Sequence, residues 1–249
     1  MMKFKTKNSK AENPKTENQI PLSEIYAELG AIDDETWGRY AFSRDILKDR
    51  ISEEKKREMI EKSIQCGKEY ANRIQDETGK HLPREIAEDL KIRVTDVQAP
   101  AMEKRVLFAQ FTSPDQIEIF CNPIGTYKEV LYAMPAEEAI RMPMETELYD
   151  VLLGHEIFHF LEDRDEAEIY TRTEKIQLWR FLGLQNNSTV RALGEIAAMA
   201  FTKELNHTAF SPFSLDILLT YGYNADLSKQ LYKEITGFLQ KNDPSSDSL

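Results

Sequence analysis

A chain of 249 residues with 41% apolar and 30% charged residues has enough material for one sizeable core or two small ones, and its composition is that of a globular protein. Its 43 acidic and 32 basic residues leave a net charge of -11, which argues against a broad nucleic-acid-binding surface and for ordinary solubility. Two distant cysteines, Cys66 and Cys121, exclude a disulfide framework and a zinc ribbon, and no run approaches the roughly 18 apolar residues of a membrane span.

Residues 1–20 hold almost nothing apolar and are expected to be disordered, because such a segment buries too little to offset its ordering entropy. A basic arm touching nucleic acid is the alternative, weakened by the acids and asparagines between the lysines. With no apolar stretch after these lysines, the expectation is a cytoplasmic protein without membrane or direct nucleic-acid partners.

Residues 21–80 read as a helical segment, with short amphipathic pieces over 22–29 and 37–47. A longer helix follows: Ser52 can cap it, the stripe Ile60, Ile64, Gly67, Ala71 and Ile74 runs along one face, and Gly79 ends it. From 81 to 240 a second unit is expected. Pro83 starts a short helix, Ile92, Val94 and Val97 suggest a strand, and 106–111 with 116–121 suggest a hairpin closed by Thr112-Ser113-Pro114-Asp115. The strand 116–121 is expected to be an exposed edge on which an extended peptide can pair. His81 reads as a surface residue.

Residues 127–141 read as one or two short helices broken at Pro135, and the segment 145–162 as a helix carrying Leu148, Val151, Leu152, Ile157, Phe158 and Leu161 at helical spacing. Within it stands His155-Glu156-Ile157-Phe158-His159. Residues four apart lie one above the other on a helix, so the two imidazoles can reach one ion about 2.0 to 2.1 Å from each nitrogen. Glu156 sits beside them, placed to take a proton from a metal-bound water without ligating the ion. Glu162 and Asp163 read as the charged end of the helix, with orientation of an imidazole as the alternative.

A catalytic zinc needs a third protein ligand. The residues after His159 lack the Gly and His of the longer His-Glu-x-x-His-x-x-Gly-x-x-His pattern, which removes the metzincin reading. Glu195 is the best candidate, in a helix whose Ala192, Gly194, Ala197, Ala198 and Ala200 allow close packing that would bury its carboxylate; an ion pair with Arg191 one turn earlier is the alternative. Between the two helices an acidic stretch, a helix through Ile176 and Trp179 to 183, and a turn at Asn186-Asn187-Ser188 are expected. A helix starting at Ser211-Pro212, a last amphipathic helix over 227–239 and a polar tail over 241–249 complete the chain.

Three stretches resemble, in consistent order, the ImmA/IrrE family of gluzincin-type zinc peptidases: the helix and Leu90-x-Ile92-x-Val94 run of 71–94, the strand-then-helix run from 117 to His159, and Glu195-x-x-Ala198-x-x-Phe201-x-x-x-Leu205. The resemblance implies an α+β, mostly helical zincin-like fold with a small, about three-stranded, mixed or antiparallel sheet packed against the His-Glu-x-x-His helix. It implies one zinc ion held by His155, His159 and Glu195, with Glu156 as general base, and a protein or peptide substrate such as a helix-turn-helix repressor. The chain departs from the family at Phe158, where a small Gly is usual, at Met199, where an Asn is usual, and in its longer span between His159 and Glu195.

The expected reaction is peptide-bond hydrolysis by a metal-activated water, with His207, Tyr170, Tyr221, Tyr223 and Arg191 as candidate oxyanion donors. Two rivals stand beside it. Glu156-x-x-His159 and Glu204-x-x-His207 form the paired pattern of a di-iron carboxylate bundle, and a peptidase-like domain can serve as a silent regulatory or binding module.

Overall fold

The computed structural model describes residues 20–98, 107–181 and 184–241. The expectations for the two terminal tails fall, except at Ile20 and Lys241, outside the described residues. Helices α1 (Leu22–Gly30) and α2 (Asp34–Ser43) open the chain; the Asp33 carboxylate caps α2 by accepting the Thr36 N–H at 2.8 Å. Next comes α3 (Glu53–Thr78), begun where Ser52 Oγ accepts the Lys55 N–H and ended where Gly79 turns left-handed at φ +65. Helix α4 (Pro83–Asp89) carries Pro83 in its first turn, where a missing N–H costs nothing.

Three short strands follow, β1 (Arg93–Val97), β2 (Ala109–Thr112) and β3 (Gln116–Phe120), in spatial order β1-β3-β2. β3 is parallel to β1 and antiparallel to β2, so the sheet is mixed. The hairpin is where the turn residues place it, but its second strand is not an edge. Ile117, Ile119 and Phe120 are buried, and β3 gains most by lying in the middle; the edge beside the later helices is β2. Cys121 also leaves the strand and begins α5 (Cys121–Ala133), which α6 (Ala136–Ala139) follows after the break at Pro135.

Helix α7 (Glu145–Arg164) is buried on several sides, with Leu148, Val151, Leu153, Ile157, Phe158 and Leu161 all at 2% exposure or less. A one-turn α8 (Tyr170–Thr173) leads into an antiparallel pair, β4 (Lys175–Phe181) and β5 (Leu184–Thr189), where the sequence suggested a helix and a turn. The burial along β4 explains the discrepancy: Ile176 and Leu178 are half-buried between exposed Lys175, Gln177 and Trp179, a two-residue alternation, and the helical spacing from Ile176 to Trp179 includes a ring that is exposed. The chain closes with α9 (Arg191–Asn206), a 3-10 turn at Pro212–Ser214, α10 (Leu215–Tyr223) and α11 (Ala225–Lys241).

The result is an α+β fold, mostly helical, with α7 lying between the small sheet and the packed pair α3 and α9. Gly67 is what lets α3 meet α9: a methyl group there would stand 2.2 Å from the Ala197 carbonyl oxygen and 2.8 Å from the Phe201 nitrogen. Phe158 fills the junction, its ring 6.1 Å from Tyr70 of α3 and 5.5 Å from Phe201 of α9. Residues of the segment 21–80 share this core, with Leu22, Cys66, Ala71 and Ile74 in the same cluster as Ile157, Phe158 and Phe201. Among the described residues no helix is long and apolar enough to cross a membrane.

Candidate metal centre

The helical spacing of His155 and His159 stacks their rings on one face of α7, Nε2 to Nε2 at 3.0 Å. α7 and α9 run antiparallel and close, since Gly154 lies against Thr202 and Asn206 and Gly194 against Glu162. That contact delivers Glu195. Its Oε2 is 3.5 Å from His155 Nε2, and its Oε1 is 3.9 Å from His159 Nε2. The three donors lie within 4.8 Å of one another, and this cluster could hold a metal ion.

The spacing tests the fit. Donors about 2.0 to 2.2 Å from one tetrahedral ion stand about 3.3 Å apart, which the observed 3.0, 3.5 and 3.9 Å bracket. Two nitrogens and one carboxylate oxygen form a donor set suited to zinc. Glu195 corrects one expectation, because its side chain is 53% exposed rather than buried. The small residues of α9 face α3 and α7, and Glu195 lies on the strip left between them. Among the described residues it pairs with the imidazoles and not with Arg191.

Glu156 points the other way, toward the sheet, where its Oε2 accepts the Phe111 N–H of β2 at 2.7 Å. Burial pushes its carboxyl above the ordinary range, opposed by His159 and the Phe111 N–H. Burial, aided by neighbouring His159, holds His155 well below the ordinary imidazole value, so it is neutral and can donate a lone pair. For His159 burial works downward too, but the bond to Glu162 and the nearby carboxylates outweigh it and leave the ring raised.

Glu162 is more than the charged end of α7. Its side chain is 6% exposed, and its Oε2 lies 3.3 Å from His159 Nδ1 and 3.1 Å from Arg172 Nη2. Burial raises its carboxyl, but His159, Thr171 and Arg172 prevail and keep it low. Only the fold reveals this, because the spacing of three from His159 also suits a solvated helix end. Asp163, by contrast, accepts from the Ser113 hydroxyl at 2.8 Å and touches no imidazole.

The candidate oxyanion donors do not converge. His207 caps the far end of α9, twelve residues or about 18 Å along the axis from Glu195. With it goes Glu204, so the paired pattern of a di-iron site is not assembled. Tyr170 turns toward α3, where Lys62 lies 6.0 Å from its ring, while Tyr221 and Tyr223 end α10, which packs on α5 and α11. Arg191, one turn before Glu195, is exposed and shares its helix face.

A residue that the linear reading passed over acts on α9 from a distance. Asp45, 7% exposed, accepts the Ala192 N–H at 2.9 Å and so caps the helix, whose own N-cap residue, Val190, has no side-chain oxygen. Searches against protein-family models, curated proteins and solved structures return no match, so the geometry stands without a relative to name.

Proposed function

We propose that this protein is a zinc-dependent metallopeptidase of the gluzincin type, as the resemblance to the ImmA/IrrE family implies. The observation that supports this most is the convergence of His155, His159 and Glu195 from two helices beside a buried carboxylate, Glu156, that does not join the donor set. A zinc ion there would supply Lewis acidity, acidifying a water and polarising the scissile carbonyl.

The chain supplies the rest. His155 and His159 would offer ring nitrogens to the ion, and Glu195 a carboxylate oxygen from the solvent side. Glu156 takes the proton of the attacking water and returns it to the leaving amine, which breaks the peptide bond without net proton change. Its bond to Phe111 N–H fixes Oε2 and leaves Oε1 outside that bond.

The substrate class is an extended stretch of peptide, which β2 can hold. Phe108 and Phe120 form a bonded pair, so by alternation Ala109 and Phe111 direct their N–H and C=O groups away from β3. Phe111 N–H is engaged by Glu156; Ala109 N–H and the two carbonyls, which among the described residues pair with no other strand, would bond a peptide backbone. A helix-turn-helix repressor as the physiological target rests on the resemblance alone.

The test has two parts. Elemental analysis should find one zinc per chain, lost or weakened in Glu195→Ala, and Glu156→Gln should keep the zinc but lose roughly 100- to 10,000-fold in cleavage of a quenched-fluorescent peptide library. Undiminished cleavage by Glu156→Gln would overturn the mechanism. Zinc binding without cleavage in the wild type would favour the silent binding module.

A further inference from the structure

Behind the metal-facing nitrogens, the two imidazoles differ. His155 Nδ1 is buried and has no hydrogen-bond partner among the described residues, whereas His159 Nδ1 meets Glu162. An ionised carboxylate only accepts, so the proton of this contact belongs to His159 Nδ1, and in the neutral ring that a metal requires the lone pair is then on Nε2, the atom that faces Glu195.

Glu162 is itself held on three sides. Its backbone belongs to α7, three residues beyond His159; its Oε2 also accepts from Arg172 of α8 at 3.1 Å; and its head rests on Gly194 of α9. A methyl group on residue 194 would stand 2.8 Å from Glu162 Oε1, 3.3 Å from Oε2 and 3.4 Å from Cδ. These are its three nearest neighbours there. Gly194 is therefore the seat of this carboxylate, and it immediately precedes Glu195.

Resting on the metallopeptidase reading, we infer that Glu162, seated on Gly194 and shared with Arg172, is a positioning residue that fixes the His159 ring with Nε2 toward the ion. It also ties the two helices that carry the donors, so that one buried group sets both the tautomer of His159 and the approach of α9. Arg172 supplies the compensating cation that allows a carboxylate to be buried at this depth.

Gly194→Ala is the discriminating variant. It removes no donor and no charge, and the atoms it strikes are the end of a flexible side chain, which can swing aside while the helices stay packed. Glu162→Gln, by comparison, keeps the shape and removes the charge. Zinc affinity would be measured by competition with a chelator, and the ligand field by the visible absorption of the cobalt-substituted protein, on the full chain.

Glu162→Gln is expected to weaken zinc about 10- to 100-fold and to shift the cobalt bands, as loss of such a partner commonly does. Gly194→Ala should move both readouts in the same direction, and Arg172→Ala should do so less, with Arg172→Lys restoring part of the loss. Wild-type affinity and an unchanged cobalt spectrum in folded Glu162→Gln and Gly194→Ala would overturn the positioning role while leaving the metallopeptidase reading intact. A wild type that takes up neither ion at one per chain would bring down both.

Discussion

Helix α7 brings its imidazoles to the cluster already set, with buried residues on both sides and Glu162 behind His159, whereas α9 brings Glu195 more than half exposed and placed by the course of its helix. On α7 the side chains are positioned by what surrounds them. On α9 the backbone is positioned, and the ligand follows. The fixtures of α9 accordingly lie far from Glu195 in sequence: Gly67 against Ala197 and Phe201, and Asp45 on the Ala192 N–H.

This contrast can be broken by mutation, beginning with the largest effect. Phe158→Ala should cost about 3 to 5 kcal/mol in denaturant unfolding, since a fully buried ring between α3, α7 and α9 would leave a cavity. A loss below 1 kcal/mol would mean that the junction is not the anchor of α7. Gly67→Ala follows, at about 3 kcal/mol, because the clash is with backbone atoms that no rotamer change relieves. It should also weaken metal binding, although Gly67 is nowhere near a donor atom in sequence; unchanged metal affinity in a destabilised protein would separate helix placement from the site.

Asp45→Ala leaves the N–H groups of Ala192 and Leu47 without their acceptor and should cost about 1 to 3 kcal/mol, read again by denaturant midpoint. Near-wild-type stability there would show that α9 needs no cap. Smallest on stability is Glu195→Ala, within about 0.5 kcal/mol for the metal-free protein because the side chain is largely exposed, yet this variant should lose the most metal affinity of the four. A large loss of metal-free stability instead would make Glu195 a structural residue.

Much of this organisation is legible in the linear chain where local chemistry decides. The capped start and left-handed end of α3, the proline opening of α4, the hairpin turn and the His155-Glu156-x-x-His159 face all depend on residues within a few positions of one another. The small-residue pattern around Glu195 likewise pointed to close helix packing, which Gly67 and Ala197 display. Its burial was misjudged, because periodicity marks which residues share a face but not how wide a gap the neighbouring helices leave.

The remainder belongs to the tertiary structure. Strand order made β2 rather than β3 the edge beside α7, since pairing across a parallel crossover from β1 leaves no mark on the strand itself. Trp179, exposed beside the half-buried Ile176 and Leu178, gave β4 the apolar spacing of a helix. The positions of Glu162, Arg172, Gly194 and Asp45 carry meaning only once three helices meet, because a carboxylate near an imidazole or a distant helix end is selected by distance in space. The sequence by itself determined the imidazole pair, its helix and the acid beside it, all set by the 3.6-residue turn; which groups face that pair from outside α7 was decided by packing, where burial and close backbone contact act on residues that the chain keeps far apart.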